Sequence, residues 1–302
     1  MIRKLSELVD EVKKESTKNL VVACGEDPHT IEAVGRGVSE GVVKATLIGN
    51  RTKIEKVAAE HKVPIDSFEI ENESDTKKAL IKSVELVRDG KGDALMKGLI
   101  DTSLYMRAIL DKERGLLPPK RVLSHITVLE FPTYPRLLIV SDVAVIPYPE
   151  LFQKIEMVKY TIEVAHLFGI SRPKVAIICA VEKVNPKMQP TLDAAVISKM
   201  ADRGQIKGAE IDGPLAMDVA VSKESADIKG LKSSVAGSAD ILIFPNIESG
   251  NVFFKTGTRL SNAKLAAVVA GTTKPCILTS RGDSGESKFY SIALAAKLSR
   301  SS

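Results

Sequence analysis

The stretch TSRGDSGESK at 279–288 concentrates groups able to hold an anion. It follows an apolar, strand-like run, carries two glycines and leads into a helical pattern. Amides at a helix start point outward unpaired and carry partial positive charge. Arg281 adds a planar guanidinium that can grip phosphate oxygens through two parallel bonds, and Ser280 and Ser284 add hydroxyls. A plainer alternative stands beside this. Asp283 and Glu286 have capping-box spacing with Asp as the cap, and Arg281 can be a surface ion-pair partner. The stretch matches neither Walker A nor G-x-G-x-x-G. GRGVSEG at 35–41 fails the latter too, because it lies late in a helical pattern.

Three further stretches carry polar groups at strand ends. In LMKGLIDTSLYMR, 95–107, a strand ends at Lys97-Gly98 and a helix begins near Asp101 or Thr102. Lys97 and Arg107 can both face the carboxyl end of that strand, where open α/β sheets bind ligands; two solvated basic residues are the alternative. In IDGPLAMDVAVS, 211–222, Asp212 follows a strand, Gly213-Pro214 turns the chain, and Asp218 lies in the next segment. Two carboxylates can bind a metal or act as acid and base, but helix capping and turn formation explain them more simply. In ADILIFPNIESGNVFFK, 239–255, a buried strand runs into Asn246, and a turn at Ser249-Gly250-Asn251 opens a helix. His125 sits in the apolar run LSHITV and reads as a satisfied core or interface residue.

The elements that must position these groups alternate. Strand patterns fall at Leu20–Cys24, Ala45–Gly49, Ala94–Lys97, Leu137–Val140, Val175–Ala180, Glu210–Asp212, Ile241–Pro245 and Cys276–Thr279. Helical patterns such as Asp75–Arg88, Ile155–Phe168 and Thr191–Ala201 lie between them. The N-terminal stretch and Glu286–Ser299 also have helical periodicity, with Phe289, Ile292, Ala293 and Ala296 on the inner face of the latter. Alternation of this kind predicts an α/β protein with mostly parallel sheets and helices on both faces. Arg121–Val145 departs from it, reading as two consecutive strands joined by a turn at Pro132–Pro135. That hairpin predicts a locally mixed sheet.

Composition narrows the function classes. Of 302 residues, 44 % are apolar and none is Trp, which suits a core of Val, Ile, Leu and Ala. A formal charge of +5 helps attract an anion but is far from a nucleic-acid footprint, so no nucleic-acid partner is expected. Cys24, Cys179 and Cys276 lie in apolar runs with no C-x-x-C pair, so they read as buried residues of a reducing compartment. No leader-like or membrane-spanning apolar run occurs, which predicts a cytoplasmic protein with no membrane partner.

Taken together, MKGLIDTS, VLSHITV, VNPKMQPTLDAA, RGQIKGAEIDGPLAMDVAVS, VAGSADILIFPNIESGNVFFK and LTSRGDSGESKFYSIALA resemble the phosphate acetyl/butyryltransferase family over nearly the whole chain. VLSHITV, VNPKM and the Ser-Arg to YSIALA segment look like its butyryltransferase branch. The resemblance implies a two-domain fold similar to isocitrate- and isopropylmalate-type dehydrogenases, with the active cleft between domains. Domain I would be 1–118 plus 272–302 and domain II, with the mixed sheet, 119–271. It implies the reaction acyl-CoA + phosphate = acyl phosphate + coenzyme A, with a butyryl or other short or branched acyl group. It also implies a homodimer or higher homo-oligomer, and an acyl-phosphate kinase as metabolic neighbour. Coenzyme A would be a substrate, with no tightly bound cofactor and no metal.

The resemblance also sorts the residues. Ser280, Arg281 and Arg107 become catalytic candidates. Lys97, Thr102, Ser124, Asp283, Ser284, Asn246, Gly250 and Asn251 become candidates for binding phosphate or coenzyme A. The acetyltransferases commonly carry Asp seven residues after the Ser of the Ser-Arg pair, and this chain has Ser287 there. The base acting on the coenzyme thiol is therefore not identified by the resemblance. Phosphate acetyltransfer is the alternative within the family. A nicotinamide-dependent dehydrogenase and a non-catalytic acyl-CoA or phosphate sensor are the alternatives outside it.

Overall fold

The computed structural model describes residues 1–278 and 283–299. Among these residues the strands are β1 (Lys18–Ala23), β2 (Val43–Gly49), β3 (Glu69–Asn72), β4 (Ala94–Lys97), β5 (Ser124–Glu130), β6 (Leu138–Ser141), β7 (Lys174–Ile178), β8 (Glu210–Leu215), β9 (Ile241–Ile243), β10 (Lys264–Ala270) and β11 (Cys276–Ile277). The helices are α1 (Leu5–Lys13), α2 (Pro28–Ser39), α3 (Arg51–Glu60), α4 (Thr76–Arg88), α5 (Thr102–Ile109), α6 (Leu151–Leu167), α7 (Gln189–Asp202), α8 (Met217–Val221), α9 (Lys223–Ile228), α10 (Ile247–Leu260) and α11 (Gly285–Leu298). None of these helices is long and apolar enough to cross a membrane. The chain divides into two compact units, Leu5–Leu123 with Leu265–Ser302, and Met1–Lys4 with Ser124–Lys264.

In the first unit the strand order is β3-β2-β1-β4-β11-β10. All pairings there are parallel except β10 with β11. Leu20–Ala23 of β1 and all four residues of β4 are buried consecutively, so helices must cover both faces. The helices fall into two packed sets, α11 on α1 and α2, and α4 on α5. Both α4 and α11 touch β1 and β2. Several helices start where a side chain answers unpaired amides: Asp27 accepts from Thr30 N at α2, with Pro28 as first residue, and Asp75 accepts from Lys77 N and Lys78 N at α4.

The second unit has the order β5-β6-β9-β7-β8. β5 and β6 form the expected antiparallel pair, and the other neighbours are parallel. The Gly213-Pro214 dipeptide does not turn the chain. It lies inside β8, which runs on to Leu215, and an extra residue bulges there: Ala176 faces Asp212 but Ile178 faces Leu215. A bulge absorbs the prolyl residue, which has no N–H to give the ladder. Lys264–Ala270 is a strand that the sequence pattern did not single out. It groups with the first unit from Leu265 onward, whereas the sequence places a boundary at 271/272. The reason is its pairing with β11 at Val269–Cys276 and the bond from Ala267 N to Ser291 Oγ on α11, 2.9 Å.

In the second unit, Lys154 of α6 and Asp193 of α7 form a buried ion pair with Nζ–Oδ2 2.6 Å, and Gln189 Nε2 donates to the other carboxylate oxygen at 2.8 Å. Their side chains are 5 % and 6 % exposed, so each charge depends on the other. Asp193→Ala should lower stability by about 3–5 kcal/mol, read as a shift of the urea unfolding midpoint. Lys154→Met/Asp193→Leu should lose much less, and equal losses in the single and double variants would contradict the dependence.

Candidate functional site

In the first unit the chain moves from β1 to β2 and β3 on one side, then places β4 on the other side of β1. Such a reversal leaves a crevice at the carboxyl ends of the two strands, where open α/β sheets bind ligands. The residues leaving β1 and β4 are locked together there. Cys24 has left-handed backbone, φ 54°. Gly98 N donates to Ala23 O at 2.9 Å and Leu99 N to Cys24 O at 2.6 Å. A Cβ on Gly98 would lie 2.1 Å from the Cys24 carbonyl oxygen, so only glycine permits this approach.

A cavity of about 200 Å³ opens at this crevice, lined by Asp27, Pro28, His29, Lys97, Gly98, Leu99 and Lys288. Lys97, only 3 % exposed, donates from Nζ to the carbonyls of Ile100 (2.9 Å) and Gly98 (3.3 Å). Lys288, on the first turn of α11, is 4 % exposed and donates to Thr30 Oγ1 at 3.1 Å. Its Nζ stands 3.6 Å from Asp27 Oδ1, the oxygen that also accepts from Thr30 N to cap α2. Two ammonium groups and one carboxylate give the lining a net positive charge, which suits an anionic ligand.

The other candidates of this unit lie on neighbouring elements. Thr102 is the exposed first residue of α5, whose cap Asp101 accepts from Ser103 N and Leu104 N. Arg107 is exposed on α5, while Tyr105 turns inward and its hydroxyl donates to Leu95 O at 3.1 Å. Neither Thr102 nor Arg107 lines the cavity. Ser280 and Arg281 lie outside the described residues. The elements on either side of them are placed: β11 pairs parallel with β4, with Ile277 beside Met96, and α11 starts at Gly285. The cap of α11 is Ser284, accepting from Ser287 N at 3.2 Å, and not Asp283 as capping-box spacing suggested.

Ser124, Asn246, Gly250 and Asn251 belong to the second unit and gather around Asp142 and the residues after it. Asp142 is 1 % exposed. Its Oδ2 accepts from Ser124 Oγ (2.9 Å) and His125 N (2.8 Å), and its Oδ1 from Ala144 N and Val145 N (both 2.8 Å). Ser124 is fully buried and also touches Ser141 Oγ at 3.0 Å. A Cβ on Gly250 would stand 2.3 Å from Asp142 O, and Asn251 Nδ2 donates to Val143 O at 2.9 Å. The Ser249-Gly250-Asn251 stretch is no turn: it lies within α10, which Asn246 caps by accepting from Ser249 N. The cap at Asn246 starts the helix early enough to bring Gly250 against that backbone.

The remaining groups have structural partners. Asp212 Oδ1 accepts from Gly213 N, and Asp218 pairs with Lys229, whose hydrogen bond holds its carboxyl below the usual range. No cluster of three His, Cys, Asp or Glu able to hold a metal occurs among the described residues. His125 is buried, with Nδ1 3.2 Å from Thr127 Oγ1. All three cysteines are buried, and burial pushes the thiols of Cys24 and Cys276 up to about 12 and that of Cys179 to about 11. Sequence reasoning did not single out Lys288, Asp27 or Asp142. For Lys288 a signal existed: it lies four residues before Ile292, on the inward face of the last helix.

The sequence profile of the family described as "Phosphate acetyl/butaryl transferase" matches residues 4–83 and 71–296. The chain is 48 % identical over 296 residues to the phosphate butyryltransferase of Clostridium acetobutylicum, covering 98 % of both chains. It is 44 % identical to the phosphate acetyltransferase of Thermotoga maritima over 95 % of this chain and 97 % of that one. In structure it is similar to a branched-chain phosphotransacylase from Enterococcus faecalis, with TM-score 0.82, 30 % identity, and coverage of 94 % of this chain and 99 % of that chain.

With thiols raised to about 11–12, the thiolate fraction at pH 8 is only about 10⁻⁴ to 10⁻³. Iodoacetamide should therefore label the native protein slowly at pH 8 and all three thiols quickly in denaturant. A rapidly labelled native cysteine, identified by mass spectrometry, would contradict the burial described.

Proposed function

The chain belongs to the phosphate acetyl/butyryltransferase family, and we propose that it moves a butyryl or other short or branched acyl group between coenzyme A and orthophosphate. It is an acyltransferase; acetyl transfer is the alternative within the family. The supporting geometry is the positively lined cavity at the strand-order reversal, beside parallel β4 and β11. An anionic acceptor and a polyanionic donor both suit that charge. The proposal includes the isocitrate/isopropylmalate dehydrogenase-like two-domain architecture, a cytoplasmic homo-oligomer and no tightly bound cofactor.

In the proposed reaction an oxygen of phosphate attacks the thioester carbonyl. The carbonyl electron pair moves to its oxygen, the tetrahedral adduct collapses, and the C–S bond breaks. The products are acyl phosphate and the coenzyme thiolate, which takes a proton from water. Holding both reactants in a ternary complex supplies much of the acceleration. Arg107 and Arg281 hold the phosphate, and Ser280 or an amide of 280–284 donates to the developing oxyanion. Lys97, Thr102 and Ser284 hold the substrates' anionic groups, and Asp283, an acceptor, takes a hydroxyl or N–H of the substrates. Ser124, Asn246, Gly250 and Asn251 contribute through the backbone of the turn that Asp142 organises. In reverse, the thiol must lose a proton at a typical pKa of about 8.5, which neighbouring cations favour. An acyl phosphate is a reactive mixed anhydride, so a kinase that passes its phosphoryl group to a nucleotide is the proposed metabolic neighbour.

Thiol release from acetyl-, propionyl-, butyryl-, isobutyryl- and isovaleryl-CoA, with and without phosphate, tests this reading. Phosphate-dependent release, fastest with butyryl or branched chains, is expected; phosphate-independent or absent release across the panel would overturn it. Arg281→Ala should lower kcat/KM by about 10²–10³, the scale for losing one preorganised donor. Near-normal turnover in that variant would remove the role given to Arg281.

A further inference from the structure

Among the described residues, Lys288 is a buried cation with one hydrogen-bond acceptor and one more distant carboxylate. An ammonium carries three N–H donors. Among the described residues Lys288 makes one hydrogen bond, to Thr30 Oγ1, and Asp27 Oδ1 stands at 3.6 Å, beyond hydrogen-bonding range. Burying a charge with incomplete partners is costly, yet this one lines a cavity with the nearly fully buried Lys97. Asp27 is itself engaged elsewhere, since the same oxygen caps α2 by accepting from Thr30 N at 3.0 Å.

We infer that the cavity lined by Asp27, Lys97 and Lys288 is a seat for a phosphate dianion, with Lys288 its gripping residue and Asp27 a weak internal stand-in for the anion. The inference deepens the phosphate-transfer reading above and rests on it for the source of the dianion. At about 200 Å³ the space takes a tetrahedral oxyanion with a few waters, each about 30 Å³. The occupant is therefore free orthophosphate or a terminal phosphomonoester, such as the one on the ribose of coenzyme A. The α2 N-terminus, which opens directly into the lining at Pro28 and His29, favours the same charge. Asp27 and Lys288 have opposite effects on such a ligand. The ammonium attracts it, and the carboxylate competes with it.

The test is the pair Lys288→Met and Asp27→Asn, compared by isothermal titration with inorganic phosphate and by steady-state kinetics. Lys288→Met should weaken its ligand by about 10–100-fold, the scale for a lost charge-assisted hydrogen bond. Asp27→Asn keeps an acceptor for the helix cap and should tighten the same ligand several-fold. A raised KM for phosphate alone assigns the cavity to orthophosphate. A raised KM for acyl-CoA, with none for its 3′-dephospho analogue, assigns it to the ribose phosphate. Either result upholds the site. Unchanged binding and KM values in Lys288→Met would overturn it, as would equal weakening by both variants, which marks a purely structural pair. If Lys288→Met fails to fold, Asp27→Asn/Lys288→Met removes both charges together and carries the comparison. Phosphate binding that obeys these signs in a protein with no phosphate-dependent thiol release would keep the site and sink the acyl-transfer reading.

Discussion

The backbone of Gly98 lies so close to the carbonyl of Cys24 that one added carbon would overlap it. Two amides, of Gly98 and Leu99, fasten the end of β4 to the end of β1 across the point where strand order reverses. The contact fixes where Lys97 leaves the sheet and keeps its side chain buried under the 98–100 loop. It also sets the floor against which the start of α2 and the first turn of α11 enclose the cavity. A looser crossing would let water reach both lysines and weaken any electrostatic preference the cavity has.

The two units solve the burial of charge differently. Asp142 in the second unit is nearly inaccessible, but four protein donors satisfy its two oxygens. Such a carboxylate is spent on architecture: it fixes the chain after β6 and the start of β5. Lys288 in the first unit is nearly as buried and, among the described residues, far less completely answered. The contrast separates a charge that organises backbone from one suited to receiving a ligand, although both sit at the carboxyl edge of parallel strands.

The alternation of apolar runs and helical periods made the α/β class and the β5–β6 hairpin legible, because both depend on local pattern. β10 escaped because LAAVVA is a short apolar run that periodicity cannot separate from a buried helix segment. Gly213-Pro214 misled because its dipeptide favours turns, and only pairing with β7 shows the bulge that holds it in a strand. Lys97 was visible as a polar residue at a strand end. Lys288 was not, since its meaning comes from Asp27 and Thr30, more than 250 positions earlier in the chain. The Asp283 cap gave way to Ser284 because both residue types suit the position, and spacing alone does not choose between them.

The first unit is assembled from segments separated by the whole of 124–264, with β11 and α11 supplied after it. During synthesis β4 emerges without the neighbour that pairs with it through Cys276–Leu95, and α2 without the helix that covers it. Until β11 and α11 emerge, that strand edge and its apolar face are open to pairing with other nascent chains. The 124–264 segment has all of its own strands by then and can condense first. The order of production thus leaves the lysine-lined cavity incomplete until Lys288 of α11 has emerged, long after β1, α2 and β4.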